Sequence, residues 1–200
     1  MKLLFVLLTV FESFLAALSQ HTLQSDLRVT VTAEASQPIT YAGSLCMQGE
    51  RFRVAMLGLT AAFDGTTLYL YQSETEELTV SDPSADELMQ TNPLCFVRAA
   101  LPLCHTTERS ARNGAETVIT FTPKNMASAA QPAVLPDGFR SLTLCVRNAD
   151  MMPLSVEMRE KKHTTSLSFL APRYLTAREP VPSFVLTQED FPDAYINDLR

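Results

Sequence analysis

Tyr41-Ala42-Gly43-Ser44-Leu45-Cys46-Met47-Gln48-Gly49-Glu50-Arg51-Phe52-Arg53-Val54-Ala55-Met56 reads as a β-hairpin. Tyr41, Gly43, Leu45 and Met47 alternate with Ala42, Ser44, Cys46 and Gln48, and beyond the Gln48-Gly49-Glu50 turn Phe52, Val54 and Met56 alternate with Arg51, Arg53 and Ala55. Successive side chains of a strand point to opposite faces, so this hairpin has one face for a core and one for water. The period of two continues outward in both directions. Upstream, Leu27, Val29 and Val31 alternate with Arg28, Thr30 and Thr32. Downstream, Phe63-Asp64-Gly65-Thr66 holds the Asp-Gly pair favoured by a type I′ turn, and Leu68-Tyr69-Leu70-Tyr71 and Leu78-Thr79-Val80 carry on the meander. Strands are expected again at 116–122, 140–146, 154–159 and 164–170, with a last short one near 184–186.

The alternation breaks in the middle. Ser81-Asp82-Pro83-Ser84 is a turn cluster, and Ser84 with Glu87 three residues on has the spacing of a capping box, which predicts a short helix over 85–90. Pro93 ends that turn and a second, apolar helix is expected over 94–101; residues 125–138 read as a long irregular connection. Val29, Val31, Leu45, Met47, Phe52, Val54, Met56, Leu68, Leu70, Ile119, Phe121, Leu142, Leu144, Leu154, Val156, Met158, Leu167 and Phe169 form one inward set. The opposite faces are largely polar, with Arg51, Arg53, Thr143, Arg147, Ser155, Glu157, Arg159, Ser166 and Ser168. One wet and one dry side over so many strands means a strongly curved, mainly antiparallel sheet around a single apolar interior, with few helices to cover its open side. Lipocalin-like and sandwich arrangements satisfy the same pattern, as does an interior filled by side chains.

Composition narrows the function. The 200 residues carry 16 basic and 22 acidic side chains, a net charge of −6, which argues against a nucleic-acid or anionic-membrane partner. Three histidines, at 21, 105 and 163, leave little for a metal site or a catalytic base. No Gly-x-Ser-x-Gly elbow, phosphate-binding glycine loop or His-Glu-x-x-His occurs. Cys104-His105 is the one Cys–His neighbour pair and reads as an ordinary loop. The four cysteines, at 46, 95, 104 and 145, allow one or two disulfides, yet their apolar neighbours suit small buried thiols equally well. No catalytic residue, metal site or cofactor is expected.

Residues 1–20, MKLLFVLLTVFESFLAALSQ, have the three-part plan of an export signal: Lys2, an apolar run from Leu3 to Phe11, and small residues at Ala17 and Ser19. This predicts a leader over 1–19 and one domain over 20–200. Glu12 interrupts the apolar run, and the alternative is an amphipathic first helix with Leu8, Phe11, Phe14, Leu15 and Leu18 on one stripe. No other apolar run is long enough to cross a membrane as a helix.

Several motifs, in order, resemble those of the periplasmic outer-membrane lipoprotein carriers (the LolA family), in their LolA-like branch. The stretch Gly43 to Val54 is similar to the family's "Gly-x-Leu, turn, Phe-Arg" hairpin, and Phe63 to Tyr71 to its "Asp-Gly-Lys-Thr-Leu-Trp-x-Tyr" hairpin, with Thr66 for Lys and Tyr69 for Trp. Asp82-Pro83-Ser84-Ala85-Asp86-Glu87-Leu88 with Asn92-Pro93 looks like the branch's helix, and Phe191-Pro192-Asp193-Ala194-Tyr195-Ile196-Asn197-Asp198-Leu199-Arg200 its closing segment. The resemblance spans residues 27–200. It implies an incomplete, highly curved antiparallel barrel with helices as a lid, in a soluble periplasmic monomer that shelters lipoprotein acyl chains. Its partners would be acylated lipoproteins or other lipid, an inner-membrane release complex and an outer-membrane acceptor.

On that reading the inward set, without Leu154 and Leu167, lines an acyl-chain cavity, and Leu88, Met89, Phe96 and Val97 belong to the lid. One departure stands out: Gly49 occupies the place of the Arg that ties the family's lid shut. The alternative function is a non-catalytic periplasmic interaction or sensor module, the same sheet with a filled interior. An exported hydrolase built on Cys104-His105 is a third class.

Overall fold

The computed structural model describes residues 9–84, 87–88, 101–124, 135 and 138–200. Among these residues a helix, α1 (Val10–Gln20), precedes twelve strands: β1 (Thr22–Ala33), β2 (Ile39–Gln48), β3 (Arg51–Met56), β4 (Leu59–Phe63), β5 (Leu68–Gln72), β6 (Glu77–Ser81), β7 (Cys104–Ala111), β8 (Glu116–Pro123), β9 (Phe139–Arg147), β10 (Met152–Glu160), β11 (His163–Tyr174) and β12 (Tyr195–Asp198). All twelve belong to one sheet in the order β12-β6-β5-β4-β3-β2-β1-β11-β10-β9-β8-β7. Every neighbouring pair is antiparallel except β12 on β6. The end strands β12 and β7 do not pair with each other, so the curved sheet is an incomplete barrel.

Register carries the alternation across the strands. Leu27 pairs with Gly43 on one side and Phe169 on the other, Gly43 with Met56, and Leu167 with Val156. Directly opposed residues share a face, so these rows make one apolar concave surface. Gly43 lets β2 and β3 approach closely: a Cβ there would lie 2.6 Å from the Ala55 carbonyl oxygen. Glycine in a strand interior permits such a close backbone approach. Three irregularities interrupt the other half, between Pro153 and Ser155 and between Arg159 and Glu160 on β10, and on β11 opposite Gln24 and Asp26, where Ala171 takes φ 48°.

The Asp64-Gly65 turn differs from the expected type I′. Phe63 pairs with Leu68, which leaves a four-residue loop, and only Gly65 has positive φ. The Asp64 amide donates to the Thr67 carbonyl at 3.3 Å and the Asp64 carboxylate accepts from the amides of Thr66 and Thr67, at 2.9 and 2.8 Å, so side chain and backbone together close the turn. The Ser84–Glu87 capping box forms: the Glu87 amide donates to Ser84 Oγ at 3.2 Å and the Ser84 amide to Glu87 Oε2 at 2.8 Å. The remainder of the two central helices, 85–86 and 89–100, and nearly all of the connection 125–138, lie outside the described residues.

Two expectations are corrected. Cys104-His105 is not in a loop but opens β7, an edge strand whose side chains are nearly all exposed. With no buried alternate positions such a strand has no hydrophobic period, and its charged residues suit an unpaired edge. No strand forms at 184–186; β12 forms further on instead. Pro180 and Pro182 lack amides for a ladder, and Ser183 Oγ takes the Val185 amide at 3.1 Å. The chain then packs on the outside of the sheet, where Leu186 and Ala194 bury Ala62, Tyr69, Leu78 and Val80, and Phe191 stacks on Tyr71 at 3.7 Å. The outer face of this region is therefore a second, smaller core rather than a wet surface, and Arg53 bridges to Asp190 at 3.6 Å across it.

Candidate functional site

Helix α1 lies against the concave face. Its start is fixed by a capping box, with Thr9 Oγ1 accepting from the Glu12 amide at 3.2 Å and Glu12 Oε2 from the Thr9 amide at 2.9 Å. Phe11, Phe14 and Leu18 recur at helical spacing and are buried, and the Phe11 ring meets Phe121 of β8 edge-on at 5.2 Å. At its end the Leu18 carbonyl accepts from the Gly49 amide at 3.0 Å. The position where the resemblance called for an arginine thus does hold the helix, through its backbone. His21 then turns the chain into β1, its ring 5.2 Å from Tyr174, whose hydroxyl donates to the Met151 carbonyl at 2.9 Å. Burial pushes the Tyr174 pKa up to about 12, so that hydroxyl stays a donor.

Between α1 and the sheet is a cavity of ≈ 300 Å³. Its walls are Phe11, Phe14, Leu15 and Leu18 of α1, with Leu23, Leu27 and Val29 of β1, Leu45 and Met47 of β2, and Phe52, Val54 and Met56 of β3. The other half supplies Phe121, Leu142, Leu144, Pro153, Val156, Met158, Thr165, Leu167 and Phe169. Thr165 is the one polar side chain among them, and none of them is ionisable. Such a surface offers a ligand's headgroup at most one hydroxyl, and little to hold a water. Three methionines give it adaptable walls.

Twelve of the residues assigned to a cavity from sequence line it: Val29, Leu45, Met47, Phe52, Val54, Met56, Phe121, Leu142, Leu144, Val156, Met158 and Phe169. Val31, Leu68, Leu70 and Ile119 do not. They share the concave face, but Leu68 and Ile119 are buried in the surrounding core, Leu70 packs against it, and Val31, paired with Thr165 and Ile39, is half-buried outside the lining. Periodicity gives the face of a residue and not its depth. The bulge on β10 explains Pro153: the extra residue, Leu154, resets the alternation, so that Pro153 and Val156 both face inward. Leu23, Leu27 and Leu167 were within reach of the same alternation, and the α1 side chains were legible as the apolar stripe of the alternative reading. Leu88 is half-buried against the core, whereas Met89, Phe96 and Val97 lie outside the described residues.

Cys104 and His105 are consecutive in a strand, with Cys104 buried and His105 exposed, so they cannot act as a nucleophile–base pair across one face. Burial raises the pKa of Cys46, Cys104 and Cys145 above the ordinary thiol value, which keeps them as thiols, and all three are free.

No family model and no curated protein matches the chain. Solved structures do. An uncharacterized conserved protein from Thermus thermophilus superposes with a TM-score of 0.56 at 12% identity, over 95% of this chain and 99% of that one. A putative outer membrane lipoprotein-sorting protein domain from Vibrio parahaemolyticus matches with a TM-score of 0.43 at 11% identity, over 85% and 92% of the two chains. A LolA superfamily protein from Nitrosomonas europaea matches with a TM-score of 0.39 at 11% identity, over 90% and 96%. The likeness to the Thermus protein is one of fold, over nearly the whole of this chain, its unclosed sheet and the helix against the concave face included.

Proposed function

We propose that this protein is an exported, non-catalytic carrier that shelters the acyl chain of a lipoprotein or other lipid and moves it through the periplasm towards the outer membrane. The observation that carries the reading is the apolar lumen of ≈ 300 Å³, with Thr165 the one polar side chain among the described residues of its wall. Each methylene moved from water into such a lumen is worth about 0.8 kcal/mol, so about ten give ~8 kcal/mol with no polar contact at all. A filled interior, as an interaction module would have, is disfavoured by that volume. Export accords with the leader-like residues 1–19, although cleavage after Ser19 would remove all four α1 side chains from the wall; the intact mass of the exported protein reports which form works.

Displacement of an apolar fluorescent probe by palmitoyl lysophospholipid tests the reading. Wild type should take up the probe, and Val156→Phe, which projects a ring into the lumen, should weaken uptake about tenfold, or ~1.4 kcal/mol, at a Tm no lower than that of wild type. Wild type that takes up neither probe nor lipid refutes it.

A further inference from the structure

Helix α1 has an anchor that none of the motifs accounts for. The carboxylate of Glu108, on the edge strand β7, accepts from two successive amides at the start of α1: Val10 N to Oε2 at 3.2 Å and Phe11 N to Oε1 at 3.1 Å. These are amides that the helix itself cannot satisfy, and a negative charge is favoured at that end of the helix. Glu108 pairs with Ile119 across the ladder, so it rises from the concave face beside the lumen without lining it. At the other end α1 is joined to β1 through His21 and held by the Gly49 amide. The helix is thus tethered covalently at its C-terminal end and non-covalently at its N-terminal end.

The lumen beneath is small. A volume of ≈ 300 Å³ is at the lower end for ligand pockets, which run to about 1,000 Å³. Phe11, Phe14, Leu15 and Leu18 of α1 occupy space that a bulkier apolar cargo would need. We infer that α1 sets the capacity of the site: seated, it leaves room for one acyl chain, and a multi-chain lipid enters only when α1 swings out about His21, with Glu108 as the latch that opposes this. The inference rests on the acyl-binding reading and deepens it by naming the cargo of the latched state as a single-chain amphiphile.

Because multi-chain cargo binds only the open form, its apparent affinity scales with the fraction open. Removing two hydrogen bonds to a charged group should raise that fraction about tenfold, while burial of the α1 phenylalanines keeps the latched form predominant. Single-chain affinity should then change by less than about twofold.

The test uses chain that retains α1, with palmitoyl lysophosphatidylcholine and a triacylated cysteinyl peptide as probes, on wild type, Glu108→Ala and the conservative Glu108→Gln. Glu108→Ala should bind the triacyl probe about tenfold more tightly than wild type does, with Glu108→Gln between them and the lysolipid unaffected. Hydrogen exchange should quicken in α1 of Glu108→Ala and not in β1 or β11. Equal triacyl affinity in all three proteins, or unchanged exchange in α1, overturns the latch and leaves the carrier reading standing. Failure of wild type to bind either probe overturns the carrier reading itself.

Discussion

Gly43→Ala probes the close approach of β2 and β3. An alanine in place of glycine at an extended position without obstruction stabilises a protein by about 0.4–1 kcal/mol, because it restricts the unfolded chain. At Gly43 the added Cβ would stand 2.6 Å from the Ala55 carbonyl oxygen and 3.1 Å from Met56 Cβ. The first obstacle is backbone and cannot rotate away, so β2 and β3 must separate where Gly43 pairs with Met56. Overpacking of this kind costs about 1–3 kcal/mol, which outweighs the entropic gain and leaves a net loss of about 1–2 kcal/mol. For a chain of this size that lowers Tm by about 2–8 °C. Thermal melting followed by far-ultraviolet circular dichroism reads it directly, and probe affinity should fall as well, since Met56, Val54 and Leu27 beside the site all line the lumen. A Tm that rises would show that the strands do not approach this closely.

Two further outcomes follow from other parts of the fold. Burial pushes the Asp64 carboxyl up, but the amides of Thr67 and Thr66 and the Tyr69 hydroxyl outweigh it and hold the pKa below the usual value. A lowered folded pKa gives stability that is whole above the unfolded value of about 3.9 and is lost as pH falls through the folded one, so Asp64→Asn should melt with a shallower pH dependence below about pH 4; matching Tm profiles for the two proteins from about pH 5 to about 2.5 would contradict this. Phe191→Ala removes the ring stacked on Tyr71, worth about 0.5–1.5 kcal/mol beyond its buried area. It should make the chain after Ser183 sensitive to limited proteolysis while lipid uptake is retained, and loss of uptake would show that the outer core also shapes the lumen.

The concave wall was legible because half-burial writes itself as a period of two: Leu45, Met47, Phe52, Val54 and Met56 needed no other signal. Elements missed by that reading obey different rules. β7 has exposed residues on both faces, so nothing in His105-Thr106-Thr107-Glu108 distinguishes a strand from a loop. Phe191 and Leu186 bury the outer face of β4 to β6 from a segment without regular structure, which no period marks. The N-terminal stripe of Phe11, Phe14, Leu15 and Leu18 was visible but ambiguous, because an export leader and an apolar-faced helix draw on the same residues. Whether such a stripe meets a lumen depends on contacts far along the chain, such as Glu108 with Phe11.

The hollow interior bears on function through its cost. Apolar walls that do not close on one another forgo the contacts a filled core would give them, and the host loses stability accordingly. Water offers little relief, since Thr165 alone among the lining side chains could bond to it. Larger side chains at Val29, Val54 or Val156 would fill the space, and the curled sheet together with α1 keeps the walls from closing. A void held open in this way is relieved by an occupant with no hydrogen-bonding needs of its own. An acyl chain meets that condition, and its polar end can stay in the water outside.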